Sequence, residues 1–491
     1  MIRNIFSVFL ISTALSVNAQ SHQDALFFSE TDVIGTARTA AMGNAFGALG
    51  ADISVLSTNP AGLGVYQSYD FAYSLNLTGR DMTSYYRGNK IINSTGNFNL
   101  PSVGFVAPLS ASKDSDWRRT NLGFAYNTTK VFRSNTIQSA YNSNSSLVDV
   151  YLASAMGYML DDLDPFFELG AFDTDLIDLQ TDSSGWIDDG NYFREVETGQ
   201  DQFNQTSISG SMGEFAISYA GSYQEKIYLG GTIGLTNINY QKKTRYNERN
   251  FADTNSTVQY FDVYENQITT GSGINLKLGA IYRANDNFRI GLAWHSPTLN
   301  DMHDEWEMTM RTQHSLNDSD YAYSYTSPYG IYDYEIVTPM KVIGSAALIL
   351  DKLLLSADVE FVDYSTMQLN GDDYDYFSNQ ENIISNHYTD VVNTRLGAEL
   401  NLSPILIRGG YSYYQNPLAS DEMVGAIDEY RNEKTSYTVG IGKRGKFRYI
   451  DLAYVFSEYS EGQSLYSTVF EPAHKTTNTS YSLIFTMGWK F

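Results

Sequence analysis

The sequence predicts an all-β fold: a transmembrane, antiparallel up-and-down β-barrel of about 14 strands, its lumen plugged by a small, partly helical N-terminal hatch. Three observations carry this prediction. The chain ends on a strand with one apolar face, closing at Phe491. Period-two alternation of apolar and polar residues recurs through residues 67–491. The connections between the alternating segments are short and long in turn.

Composition agrees with long strands. The 491 residues include 38 tyrosines and 38 glycines but only 10 prolines and no cysteine. Tyr and Thr suit a pleated surface, whereas this mixture is poor material for helical bundles.

Residues 1–19 read as a signal peptide. Arg3 gives a positive start, Ile5 to Val17 a short apolar run, and Val17-Asn18-Ala19 a small-residue cleavage site ahead of Gln20. The apolar run falls short of the roughly 20 residues a helical span requires, and no later segment reaches that length. The chain is therefore expected to be exported without a helical span.

Residues 20–66 do not alternate. Gly43-Asn44-Ala45-Phe46-Gly47-Ala48 is rich in small residues, and Asn59-Pro60-Ala61-Gly62-Leu63 carries a turn signal. A barrel of about 14 strands is too wide for its own side chains to fill. A compact Ala/Gly-rich segment just before the first strand suits that space, because small residues permit close backbone contact.

From about Tyr69 the strands begin. Phe288, Ile290, Leu292 and Trp294 oppose Arg289, Gly291, Ala293 and His295. Leu353, Leu355, Ala357, Val359 and Phe361 oppose a face holding Asp358 and Glu360. Leu396, Ala398 and Leu400 oppose Arg395, Gly397 and Glu399, and Ile450, Leu452, Tyr454 and Phe456 oppose Asp451. Charges facing lipid are costly, so the charged faces must look into the lumen. Short turns are expected near 224–225, 284–286, 350–352, 403–404 and 444–446, on the periplasmic side. Longer outer loops are expected near 80–95, 134–205, 246–258, 302–331, 370–387, 416–433 and 463–476. Within 134–205, Leu147, Tyr151, Ala155, Tyr158 and Met159 recur at helical spacing. So do Val148, Leu152 and Met156, which predicts a helix on the outer rim, either packed over the barrel mouth or offering an apolar landing surface.

The last strand separates a barrel from a soluble sandwich. Phe491, Trp489, Met487, Phe485, Leu483 and Tyr481 alternate with Lys490, Gly488, Thr486, Ile484, Ser482 and Ser480. Such an end resembles the terminal strand by which the outer-membrane assembly machinery recognises its clients. An even strand number then puts both barrel ends on one side.

The run Gly43 to Ala48, followed by Asn59-Pro60-Ala61-Gly62-Leu63, resembles the start of the outer-membrane long-chain fatty-acid and hydrocarbon transporters of the FadL/TodX type. The motif resemblance covers about residues 35–66 and the architectural one the whole chain. It implies passive uptake: an apolar small molecule is captured on the outer loops, held above the hatch, and released through the barrel wall into outer-membrane lipid once the hatch moves. It also implies that Phe27, Phe28, Ile34, Met42, Phe46, Asn59, Pro60 and Ala61 lie nearest the path, although each of them also reads as plain plug packing.

The remaining function classes find little support. The net charge of −24 argues against nucleic acid as a partner. The six histidines show no H-E-x-x-H spacing, and neither G-x-S-x-G nor a P-loop occurs, so no enzyme, metal or cofactor is expected. Asp161, Asp162, Asp164, Asp188, Asp189, Asp372, Asp373 and Asp375 follow no EF-hand pattern and read as a solvated acidic surface. His295 is expected in a hydrogen-bonded structural role on a luminal face. A general porin, or a structural or adhesion barrel, remains the alternative; a porin would lack the plug of residues 20–66.

Overall fold

The computed structural model describes residues 20–109, 115–182, 185–317, 319–419, 430–466 and 469–491, so the expected signal peptide lies outside the described residues. Fourteen strands close a barrel: β1 Asp70–Tyr86, β2 Asn89–Leu109, β3 Trp117–Asn142, β4 Gln200–Tyr223, β5 Ile227–Arg249 and β6 Val258–Arg283 come first. Three interrupted strands follow. β7 is Phe288–His295 continued by Leu299–Leu316, β8 is Gly330–Val337 continued by Lys341–Ile349, and β9 is Leu353–Asp363 continued by Gln368–Asn370. β10 Asp390–Leu402, β11 Ile405–Tyr414, β12 Lys434–Arg444, β13 Arg448–Gln463 and β14 His474–Lys490 complete the wall.

Every neighbouring pair is antiparallel, and β14 closes on β1 from Asp70↔Lys490 to Ser84↔Thr476. Closure of β14 on β1 removes the free edges that an open sheet exposes. The outward faces hold the apolar members of each alternation: Leu276, Leu278, Ile290, Leu292, Leu355, Leu396, Ile441 and Leu452 are all exposed. With nothing else to cover it, that surface is the lipid belt of a transmembrane barrel. The alternate residues, among them Asp358, Glu360, Arg395, Glu399 and Asp451, are buried inside. The turns expected near 224, 284, 350, 403 and 445 all lie at the end of the barrel where β14 finishes.

Two of the expected loops are not loops. Residues 80–95 continue the β1–β2 ladder to a tight turn at Arg87 and Gly88. Most of residues 302–331 prolong β7 and fold back as a hairpin strand, Ser319–Thr326. Above the membrane the outward face of a strand meets water instead of lipid, so the ladder persists without an apolar outer face, while inward residues such as Tyr86, Asp304 and Met310 stay buried. The expected loop 370–387 holds a helix, α5 (Tyr374–His387), N-capped by Asp373. The loop expected at 416–433 falls largely outside the described residues.

The hatch fills the lumen. It runs as α1 (His22–Ser29), a short extended stretch, α2 (Ala37–Ala40) and two 3-10 turns, Ile53–Ser57 and Pro60–Val65. Between β3 and β4, the described residues of 143–199 form an outer cap. There α3 (Leu147–Ala155) starts on a Ser146–Asp149 capping box and α4 is Glu168–Asp173. Val148, Val150, Tyr151, Leu176 and Ile177 bury a core of their own against Phe261 and Met310 of the wall. The predicted rim helix exists, but it stops before Gly157, and Met156, Tyr158 and Met159 are half exposed beyond it.

Candidate functional site: hatch, luminal pocket and wall interruption

The luminal charges hold the hatch. Asp358 on β9 accepts the backbone N–H groups of Phe46 (2.9 Å) and Gly47 (3.0 Å). Thr486 accepts from Ala37 N–H at 2.7 Å, and Thr438 from Gly43 N–H at 3.1 Å. Asn121 donates to the Leu63 carbonyl at 2.7 Å, and Thr232 to that of Leu56 at 2.8 Å. Toward the end of the barrel where β14 finishes, Arg408 bridges Glu399 (2.6 Å) and Asp451 (2.7 Å), and Arg38 of α2 adds a contact to Glu399 at 3.6 Å. Irregular backbone can be buried here because barrel side chains satisfy it.

Asn59 organises the lower hatch. It is 1% exposed; its Oδ1 accepts Ala61 N–H at 3.1 Å, and its Nδ2 donates to the Gly47 carbonyl at 2.6 Å. One side chain thus caps the Pro60–Val65 turn and pins the preceding segment to it. The wall makes room with glycine: a Cβ on Gly279 would lie 2.0 Å from Asn59 Oδ1, and one on Gly291 2.4 Å from the Gly47 carbonyl oxygen. The alternating pattern placed Gly291 on the luminal face, but only the apposition to the hatch explains the two glycines.

The sequence-predicted residues divide into two groups. Met42, Phe46, Pro60 and Ala61 are buried against the wall, and Ile34 packs on the cluster of Ala37 and Ile484. Phe27 and Phe28 sit higher, in an aromatic cluster. Phe27 stacks on Phe132 of β3 at 5.1 Å, and Phe28 meets Phe132 and Tyr240 edge-on at 5.9 Å and 5.7 Å. Met212 and Ile238 border the same cluster. Lys130 of β3 donates to the Phe27 carbonyl, its ammonium 4.2 Å from the Phe27 ring centroid.

Beside that cluster the wall is interrupted. The β2–β3 ladder runs only from Ser102↔Asn127 to Leu109↔Thr120. Further out, β2 stays paired with β1 and β3 with β4. Side chains bridge β2 and β3 there: Asn93 donates to the Asn135 carbonyl at 2.9 Å, and Asn89 to that of Ser139 at 2.9 Å. The break falls at Pro101, which cannot donate to a ladder, and the β1–β2 register slips beside it. β3 bulges opposite, between Thr128 and Lys130. The hatch occupies this place. Asp32 N–H donates to the Thr129 carbonyl at 3.0 Å, and Ile34 N–H to that of Thr128 at 3.1 Å. A proline inside an alternating strand was the one signal in the sequence that could have marked the interruption.

Below the aromatic cluster the space between hatch and wall turns polar. Lys277 pairs with Glu214, and Arg395 with Glu360 at 2.8 Å, while Lys341 donates to the Thr31 carbonyl at 3.0 Å. His295 lies 2.6 Å from the Thr58 carbonyl, in the structural role expected of it. At the outer end, α5 covers α1: His22 N–H donates to Gln380 at 2.9 Å, and the His22 ring is bonded to Tyr388. Burial, then the neighbouring His387 ring, lowers the His22 pKa to about 4. Sequence reading missed α5, although its buried Phe377, Gln380, Ile384 and His387 recur every three or four residues.

A closed fourteen-stranded barrel with an N-terminal luminal plug and an interrupted wall defines a class of plugged outer-membrane barrels. Within it the chain has the fold of the FadL-type transporters. It aligns over 94% of its length with 99% of a Pseudomonas aeruginosa FadL homologue, at 12% identity and a TM-score of 0.57. It also covers 97% of the P. putida toluene transporter TodX over 92% of its own length (14% identity, TM-score 0.52). For the Ralstonia pickettii toluene transporter TbuX the shares are 100% and 95% (16% identity, TM-score 0.50). No family model and no curated protein sequence matches the chain.

Proposed function

We propose that the protein is a passive uptake channel of the outer membrane for hydrophobic small molecules, long-chain fatty acids or similar apolar solutes, gated by residues 20–66. The observation that carries the reading is the coincidence of three features at one place. The aromatic cluster of Phe27, Phe28, Phe132 and Tyr240, the interrupted β2–β3 ladder, and the hatch bonds to Thr128 and Thr129 lie side by side.

The physical logic suits an apolar solute. Transfer from water into the aromatic cluster gains about 0.8 kcal/mol per CH₂. Passage straight down the lumen meets Lys277, Glu214, Glu360 and Arg395, a lining that an apolar chain cannot solvate. Release of Asp32 and Ile34 from β3 instead connects the cluster to lipid through the wall. The solved structures of like fold are described as transporters and channels, which accords with a non-enzyme. A general porin is disfavoured because side chains around the lumen hold the hatch in place. The strand ending at Phe491 is the proposed contact for the assembly machinery.

The test is a tether. The chain has no cysteine, so in an Ile34→Cys/Thr128→Cys variant the two introduced thiols, on residues joined by a backbone hydrogen bond, are the only ones available to tether hatch to wall. Expected is at least a tenfold fall in fatty-acid uptake by cells carrying the oxidised variant, reversed by reductant. Full uptake through the oxidised protein would overturn the gating. Free passage of small sugars in proteoliposomes, with no apolar ligand retained, would establish the porin instead.

A further inference from the structure

Gln20 stands at the outer end of the hatch and is only 7% exposed. Its side-chain Nε2 donates to Asp304 Oδ2 at 3.1 Å, and its carbonyl accepts the Tyr376 hydroxyl of α5 at 2.8 Å. Asp304 lies on the luminal face of β7 and is fully buried. The other groups that reach it are also neutral: Gln267 Nε2 at 3.4 Å, the Tyr334 hydroxyl at 3.5 Å and the Thr269 hydroxyl. Among the described residues no Lys, Arg or His side chain forms an ion pair with it. A second carboxylate, Asp24, lies nearby, committed to the Ser21 capping box that opens α1. A buried carboxylate served only by neutral donors is an expensive arrangement unless a cation completes it.

We propose that the cation is the chain's own processed amino terminus, and that Asp304 is its receptor. Export processing at the Ala19–Gln20 bond, the cleavage expected from the sequence, adds water across that amide. Ala19 leaves as a carboxylate, and the Gln20 nitrogen takes up protons to become an α-ammonium. The side chain of this residue already rests on Asp304. In the precursor the same nitrogen is a neutral amide and offers no charge. Cleavage therefore supplies the hatch with its missing ion pair, and a chain still carrying residues 1–19 lacks it. The inference is independent of which solute crosses the barrel. An N-terminal glutamine cyclises when its amine attacks its own side-chain Cδ and expels ammonia. With ammonium and carboxamide both engaged by Asp304, that attack is blocked, and the terminus stays open.

The test uses the full chain exported to the outer membrane with its own leader. Intact mass and tandem spectra locate the terminus, and an amine-selective acylating reagent at neutral pH reads its accessibility. Expected is a chain starting at Gln20, uncyclised, acylated at least tenfold more slowly when folded than when denatured. Asp304→Asn should restore fast acylation while the barrel keeps its heat-modifiable migration. Gln20→Ala, which keeps the amine and loses the carboxamide, should remain protected, and it decides the matter if Asp304→Asn does not assemble. A terminus elsewhere, a pyroglutamyl terminus, or a folded wild type labelled as fast as the denatured chain would overturn the proposal. So would a Gln20→Ala terminus labelled at that rate.

Discussion

Replacing Asn59 by alanine should open the hatch and leave the barrel standing. The side chain makes two buried hydrogen bonds within the hatch, to Ala61 N–H and to the Gly47 carbonyl. Alanine leaves both backbone groups in place without partners. Loss of an N-cap costs about 0.5–2 kcal/mol. An orphaned buried carbonyl adds about 1–3 kcal/mol. A sum of about 3 kcal/mol multiplies the population of the undocked hatch roughly 100-fold. No rung of the barrel ladder uses Asn59, so heat-modifiable migration of the folded barrel should be unchanged. Hydrogen exchange of amides in residues 43–63 reads the effect directly, with protection expected to fall by one to two orders of magnitude. Asn59→Asp keeps the acceptor for Ala61 but turns a carboxylate toward the Gly47 carbonyl, and it should be at least as harmful. Protection within about threefold of wild type in Asn59→Ala would refute the view that this residue clamps the lower hatch.

Two further outcomes follow from the upper hatch. Phe27→Ala removes one face of the aromatic cluster, and an aromatic pair contributes about 0.5–1.5 kcal/mol beyond its buried area. Affinity for a fluorescent fatty acid should fall by about tenfold in a titration, and unchanged affinity would remove Phe27 from the path. His22, its pKa lowered to about 4 when docked and near its ordinary 6.5 when undocked, binds a proton more readily in the undocked state. Docking of α1 should therefore be fully stable above about pH 7, weaken as pH falls from 6.5 toward 4, and lose at most about 3 kcal/mol. Proteolysis within residues 20–34 should accelerate across that window in wild type and much less in His22→Gln.

Much of the architecture was legible in the sequence because one solvent boundary imposed it. Inside the lipid zone a strand must be apolar on one face, so Ile290, Leu292, Leu355 and Leu452 marked strands, and Asp358, Glu360 and Asp451 marked the lumen. Where that boundary ends the signal ends too: residues 80–95 and 302–331 were expected as loops because a strand whose outward face meets water instead of lipid needs no apolar face there. The small residues around Gly43 and the Asn59-Pro60-Ala61-Gly62 turn announced a plug. They could not say that Phe27 and Phe28 would sit apart from Met42 and Phe46, since the two groups differ only in what the wall brings to them.

The sequence by itself determined the membrane-spanning class, the strand parity read back from Phe491, and the presence of a compact segment before the first strand. These follow from local periodicity and from the chemistry of short turns, which neighbouring residues dictate. Only the tertiary structure decided which luminal carboxylate grips which hatch amide, where β2 leaves β3, and that Asp32 and Ile34 occupy that place. Those contacts join residues up to hundreds of positions apart, such as Phe46 to Asp358, and their geometry exists only once the barrel has closed.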